Sequence, residues 1–117
     1  GGIEAVLLGQ GAQVDIFTLG ALSKALPSGV YRLAHELDSG DMELAAHAWM
    51  IGTYHFDTYL PKRPDFEAPQ LVLPKESRLD RIQALGEAVF LVRDLINTPA
   101  ADMGPVELEL AARNLAD

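Results

Sequence analysis

The sequence contains no cysteine. A disulfide framework and a cysteine-bearing zinc shell are therefore excluded, and a reducing compartment is the simpler expectation. Positive charge is scarce: nine Lys and Arg stand against 17 Asp and Glu, for a net charge of −8. Binding nucleic acid requires a clustered basic surface, and the densest basic pair here is Lys62-Arg63. Nucleic acid is thus not expected as a partner. No apolar run approaches the roughly 20 residues of a membrane span, because Pro27, Asp41 and Glu43 interrupt the richest stretches. The opening Gly1-Gly2 lacks the basic start of a signal peptide. The expectation is a cytoplasmic protein with no membrane partner. There is no internal repeat and no low-complexity segment.

What is present is the composition of a globular chain, 49% apolar and 22% charged over 117 residues. That length suits one domain, or one small domain and the opening of another. Residues 3–8 (IEAVLL), followed by Gly9-Gln10-Gly11, read as a buried strand and a tight turn. Leu19, Leu22 and Leu26 recur at helical spacing, with Thr18 placed as an N-cap, and Pro27-Ser28-Gly29 turns the chain. Residues 30–33 read as a second strand. After a break at 38–40, residues 41–51 read as a helix with Asp41 and Glu43 in its first turn, Leu44, Ala45, Ala48 and Trp49 on one face, and a stop at Gly52. Residues 53–68 are irregular and carry Tyr54, Phe56, Tyr59 and Phe66. Residues 70–73, bracketed by Pro69 and Pro74, read as a third, edge strand.

The longest helix is predicted from Ser77, with Asp80 completing a capping box. Leu79, Ile82, Leu85, Val89, Val92 and Ile96 form its stripe, and Thr98-Pro99 its end. Gly104-Pro105 opens a last helix with Glu107 in its first turn and Leu108, Ala111, Ala112 and Leu115 as its apolar stripe. Strands alternating with helices predict an α/β fold. The last stripe implies a surface to pack on, and no later sequence builds one, so the chain reads as a fragment. Its exposed stripe, centred on Val92, Ile96, Leu108 and Leu115, is expected to drive self-association.

Candidate chemistry is thin. Asp41 and Glu43 fall on different sides of a helix, as do Glu107 and Glu109, and both pairs read as dipole partners rather than metal ligands. His35, His47 and His55 show no His-x-x-x-His pair. The Gly9-Gln10-Gly11 turn lacks the rest of a Gly-x-Gly-x-x-Gly pattern, since Val14 stands at the third glycine position. Ser23, Ser28, Ser39 and Ser77 lack a nucleophile-elbow context. No catalytic, cofactor-binding or metal-binding residue is therefore assigned. Trp49 reads as a core anchor. The aromatic stretch 54–59 reads either as a loop folded over its own core or as a surface for a subunit partner.

One stretch carries a resemblance. Residues 92–116, VRDLINTPAADMGPVELELAARNLA, are similar to the start of the catalytic domain in the leucine (leucyl, cytosol) aminopeptidase family of two-metal exopeptidases. Arg93, Asp94, Leu95, Asn97, Thr98, Pro99, Asp102, Gly104 and Pro105 match. Ala101 stands where the family has a second asparagine. Tyr31-Arg32-Leu33-Ala34 and Gly52-Thr53-Tyr54 with Phe56-Asp57 resemble one bacterial branch. The resemblance implies a macrodomain-like N-terminal α/β domain over residues 1–75, a linker helix over 76–98, and the start of a catalytic domain over 99–117. It implies a parent enzyme that removes N-terminal residues from peptides with two zinc or manganese ions, and assembles as the family's hexamer. The catalytic lysine, the metal-binding acids and the family's Asn-Thr-Asp-Ala-Glu-Gly-Arg-Leu signature are absent from this sequence. The segment itself is then expected to bind no cofactor and to serve folding and assembly. The alternative is a stand-alone macrodomain-like module for a nucleotide or ADP-ribose.

Overall fold

The computed structural model describes residues 2–9, 12, 15–61 and 67–116. Six elements follow one another: α1 (Ile16–Ala25), β1 (Val30–Arg32), α2 (Ser39–Gly52), β2 (Gln70–Val72), α3 (Leu79–Asn97) and α4 (Pro105–Ala116). The two strands pair in parallel, Val30 with Gln70, Tyr31 with Leu71 and Arg32 with Val72. Parallel strands need a long crossover, and α2 lies within it. The fold is mixed helix and small parallel sheet, as the alternation of periods predicts.

Several details differ from the sequence reading. Residues 3–8 form no strand; without a ladder partner an apolar run has no sheet to join. Leu8 nevertheless packs against the core cluster of Leu19, Ala45 and Ala48, as do Leu33 and Leu37. Gln10 and Gly11, the second half of the proposed turn, lie outside the described residues. Thr18 is not a cap, because α1 begins two residues earlier, and its hydroxyl donates to Asp15 Oδ2 at 3.1 Å. The break at 38–40 is itself the helix start, where Asp38 Oδ1 accepts from the Asp41 amide at 2.9 Å. Ser77 does not cap α3. Arg78 holds that position without a side-chain cap, and Ser77 lies in a turn closed by its amide on Pro74 O. At α4 the expected chemistry holds, with Glu107 Oε2 accepting from the Gly104 amide at 3.0 Å.

α2 is the centre of the molecule because it buries two sides. Ala45 and Ala48 meet Leu19 of α1, and small residues let the helices approach closely. A Cβ on Gly20 would stand 3.1 Å from Ala48 O, and one on Gly52 would overlap Gly20 O and Ser23 Oγ. Ser23 is fully buried in this seam, its hydroxyl bonded to Gly20 O at 3.0 Å. The other side of α2 presents Ala46 and Trp49, both buried, whereas Leu44 is exposed. Trp49 donates its indole N–H to Pro69 O at 2.9 Å, and its ring lies 5.8 Å from that of Tyr31. One aromatic residue thereby ties the crossover helix to both strands, as a core anchor should.

α3 meets α2 mainly through its first half, and Arg93 in the second half adds a hydrogen bond to Ile51 O at the end of α2. Ile82 and Gly86 are buried, and Gly86 leaves the room that Met50 fills. The rest of the stripe is largely open along its whole length: Leu79, Leu85, Val92 and Ile96 are exposed, the last at 76%, and Val89 is half-buried. No residue of α4 is buried.

Candidate functional site

The sequence-derived candidates are dispersed. His35 and His55 are exposed and His47 is half-buried, with a buried Nδ1 that has no hydrogen-bond partner among the described residues. Asp38 caps α2, Glu43 pairs loosely with Arg81 at 3.9 Å, Glu107 caps α4, and Glu109 pairs with Arg113 at 2.7 Å. Ser28 donates to Glu67 O, which holds the irregular segment against the β1 turn. Among the described residues, no group of three or more His, Asp or Glu could hold a metal ion. An open groove of about 570 Å³ runs between α2, β2 and α3, lined by apolar groups that include Trp49, Pro69, Leu71 and Ile82. No helix of the described residues is long and apolar enough to cross a membrane.

The polar constellation that the fold does assemble lies on the aromatic loop. Residues 54–59 lie against α3 at the surface and none of them is buried in the core, Tyr59 being 51% exposed. The ring of Tyr54 lies 5.3 Å from that of Phe90, and the Arg93 guanidinium sits 5.3 Å over the Tyr54 face. Arg93 Nη1 also donates to Ile51 O at 3.2 Å. The Tyr54 hydroxyl donates to Asp94 Oδ1 at 2.7 Å and accepts from Asn97 Nδ2 at 3.1 Å. The Asp94 carbonyl accepts from the Thr98 hydroxyl at 2.7 Å and from the Thr98 amide, closing α3. Tyr59, ring to ring with Phe56, donates its hydroxyl to Asp102 Oδ2 at 2.6 Å.

These partners are about forty residues apart, so periodicity could not pair them. The available signal was that each tyrosine lies in a loop after a helix stop, and that the residues matching the family element include two unpaired acids. Arg93, Asp94, Asn97, Thr98 and Asp102, singled out above by resemblance, are the residues that meet this loop or end α3.

The surroundings of both phenols favour the neutral form. Burial, then the bond to Asp94, raises Tyr54 above the usual tyrosine value; the bond to Asp102 and burial raise Tyr59. A folded value above the unfolded one means that the contribution to stability is fully present below about pH 10 and is lost as pH rises through the folded values. Stability between neutral pH and about pH 9 should therefore be insensitive to these groups. In an absorbance titration, two of the phenols should form tyrosinate at higher pH than N-acetyltyrosinamide. Titration of every phenol together with that free amide would overturn the assignment.

Residues 1–74 match the family model described as the N-terminal domain of M17 aminopeptidases. Over 77 residues the chain is 32% identical to a probable cytosol aminopeptidase of Sinorhizobium fredii, an alignment covering 56% of this chain and 16% of that protein. A probable cytosol aminopeptidase of Wolinella succinogenes is 27% identical over 88 residues, covering 64% of this chain and 18% of the relative. Among solved structures, the crystal structure of the cytosol aminopeptidase from Coxiella burnetii superposes with a TM-score of 0.73 at 37% identity, over 86% of this chain and 22% of that one. The chain thus spans less than a quarter of the length of these relatives.

Proposed function

We propose a function that proceeds from an established premise: the chain belongs to the leucyl (cytosol) aminopeptidase family, M17, to whose N-terminal domain residues 1–74 correspond. In this reading the chain is the non-catalytic part of a cytoplasmic metallo-aminopeptidase that removes N-terminal residues from peptides. Residues 1–75 form its macrodomain-like α/β domain, 76–98 its linker helix and 99–117 the opening of its peptidase domain. The role of the segment is in folding and oligomer assembly, presenting a docking face to the peptidase domain and to further subunits.

One observation carries the reading. Leu108 is 53% and Leu115 71% exposed on a helix with no buried residue, and Val92 and Ile96 are open on the helix before it. Leaving such side chains in water forgoes roughly 1.5–3 kcal/mol each relative to burial, and a stripe of this kind marks an interaction surface.

The family's two metal ions have no fitting donor set among the described residues. Two-metal hydrolysis requires acids converging on neighbouring ions, whereas Asp38 and Glu107 cap helices, Glu109 pairs with Arg113, and Asp94 and Asp102 accept from tyrosines. No step of the reaction is therefore assigned to these residues. A nucleotide-binding reading draws no support from the relatives described above, which are named aminopeptidases.

The test compares two proteins. The full-length parent, supplied with zinc or manganese, should hydrolyse a leucine-derived chromogenic substrate. The 117-residue chain under the same conditions should show no turnover above a chelated control. Turnover by the chain alone, or an inert parent, would defeat the proposal.

A further inference from the structure

α4 has no buried residue of its own, so packing against the domain does not fix its direction. Contacts on the chain just before it can do so. Tyr54 and Tyr59, five residues apart on one loop, bond to Asp94 in the last turn of α3 and to Asp102 in the α3–α4 connection. The first point is braced from three sides: Asn97 donates to the Tyr54 hydroxyl, Phe90 packs beside its ring, and Arg93 covers its face while bonding to Ile51 O at the end of α2. The chain from the first point to the start of α4 is itself a set of closed turns. Thr98 bonds back to the Asp94 carbonyl, the Asp102 amide to Pro99 O, and the Gly104 amide to Glu107 Oε2 at the first turn of α4.

We propose that Tyr54 and Tyr59 are positioning residues, a two-point latch that fixes the direction in which the chain leaves α3 and hence the attitude of α4. A single point would stop the connection from lifting away while leaving it free to swivel. The second point, eight residues further along the chain, removes the swivel. Both bonds are at the surface, where one hydrogen bond adds little to global stability. Their effect is on which orientation of α4 is populated, rather than on whether the domain folds. The latch rests on contacts within this chain. Its consequence for the parent, that α4 is delivered pre-aligned to the body that follows, rests on the function proposed above.

The chain offers a direct readout because it has one tryptophan and no cysteine. Leu115→Cys, labelled with a thiol-reactive energy acceptor, pairs with Trp49 as the sole donor, and time-resolved transfer gives the distribution of distances between α2 and the end of α4. The expected result is a narrow distribution in the otherwise native chain. It should broaden in Tyr54→Phe and in Tyr59→Phe, and broaden most in the double variant. Asp94→Asn keeps an acceptor for the Tyr54 hydroxyl and should stay narrow, whereas Asp94→Ala should not. Circular dichroism checks that each variant is folded, and if the double variant is not, the single variants decide.

A merely structural role would lower the melting temperature of the folded variants and leave the distance distribution unchanged. That outcome overturns the latch. The readout involves no catalysis, so the latch can fail while the aminopeptidase reading stands, and the reverse.

Discussion

Trp49→Ala is expected to remove about 3–5 kcal/mol of unfolding free energy, the usual loss for a buried aromatic truncated to a methyl group. A domain of this size has a total stability on the order of 5–15 kcal/mol, so the variant should give up a third or more of it and melt well below the native chain. Three losses combine. The indole is only 5% exposed, so its removal leaves a void between α2 and the sheet. Its N–H bond to Pro69 O disappears, leaving a carbonyl of a buried residue unpaired, and the Tyr31 ring loses its neighbour. Trp49→Phe separates these contributions, because it keeps most of the packing and forfeits the hydrogen bond. Its cost should be about 1–3 kcal/mol. Urea unfolding followed by far-ultraviolet circular dichroism measures both, since the only tryptophan is the residue replaced. A loss below about 1 kcal/mol for Trp49→Ala would mean that α2 does not depend on this anchor.

How much of this was legible in the sequence follows from the range of the interactions. Helices α2, α3 and α4 and strands β1 and β2 were readable because periodicity, Gly and Pro stops and first-turn acids act within a few residues. The role of Trp49 was readable because a lone large aromatic on a helix face has few alternatives. Residues 3–8 were misread because an apolar run reports burial preference and not a ladder partner, and the structure uses only Leu8 of that run in the core. Ser77 and Thr18 were misread as caps because side-chain type alone does not fix where helical dihedrals begin. The Tyr54–Asp94 and Tyr59–Asp102 pairs were out of reach, since nothing local joins residues some forty positions apart. The resemblance located Asp94, Asn97 and Asp102 without saying what they touch. In the structure they touch the loop, which gives part of a family-like element a physical reason within this segment.

Gly52→Ala is the substitution for which local and tertiary reasoning predict opposite signs. Gly52 is the last residue of α2, and by helix propensity alone alanine should stabilise by up to about 1 kcal/mol. The added methyl group would, however, overlap the backbone carbonyl of Gly20 and the hydroxyl of Ser23 across the α1–α2 seam. A flexible side chain can swing away from such a clash; a carbonyl in the middle of a helix cannot. Relief therefore requires α1 and α2 to separate, which disturbs Leu19, Ala45 and Ala48, the buried cluster that Leu8, Leu33 and Leu37 cover. Overpacking of this kind costs roughly 1–3 kcal/mol and occasionally more. Because the obstructing atom is backbone, the net loss should fall near 3 kcal/mol, about 10 °C or more in melting temperature for a chain of this size. Gly40→Ala is the internal control, as a Cβ there meets only Asp38 Oδ1 at an ordinary 3.4 Å, and it should be neutral or slightly stabilising. Adding Ser23→Ala to Gly52→Ala should recover only part of the loss, because Gly20 O remains in the way. If Gly52→Ala melts at or above the native chain, the two helices do not approach as closely as described, and the small-residue seam is not what holds α1 in place.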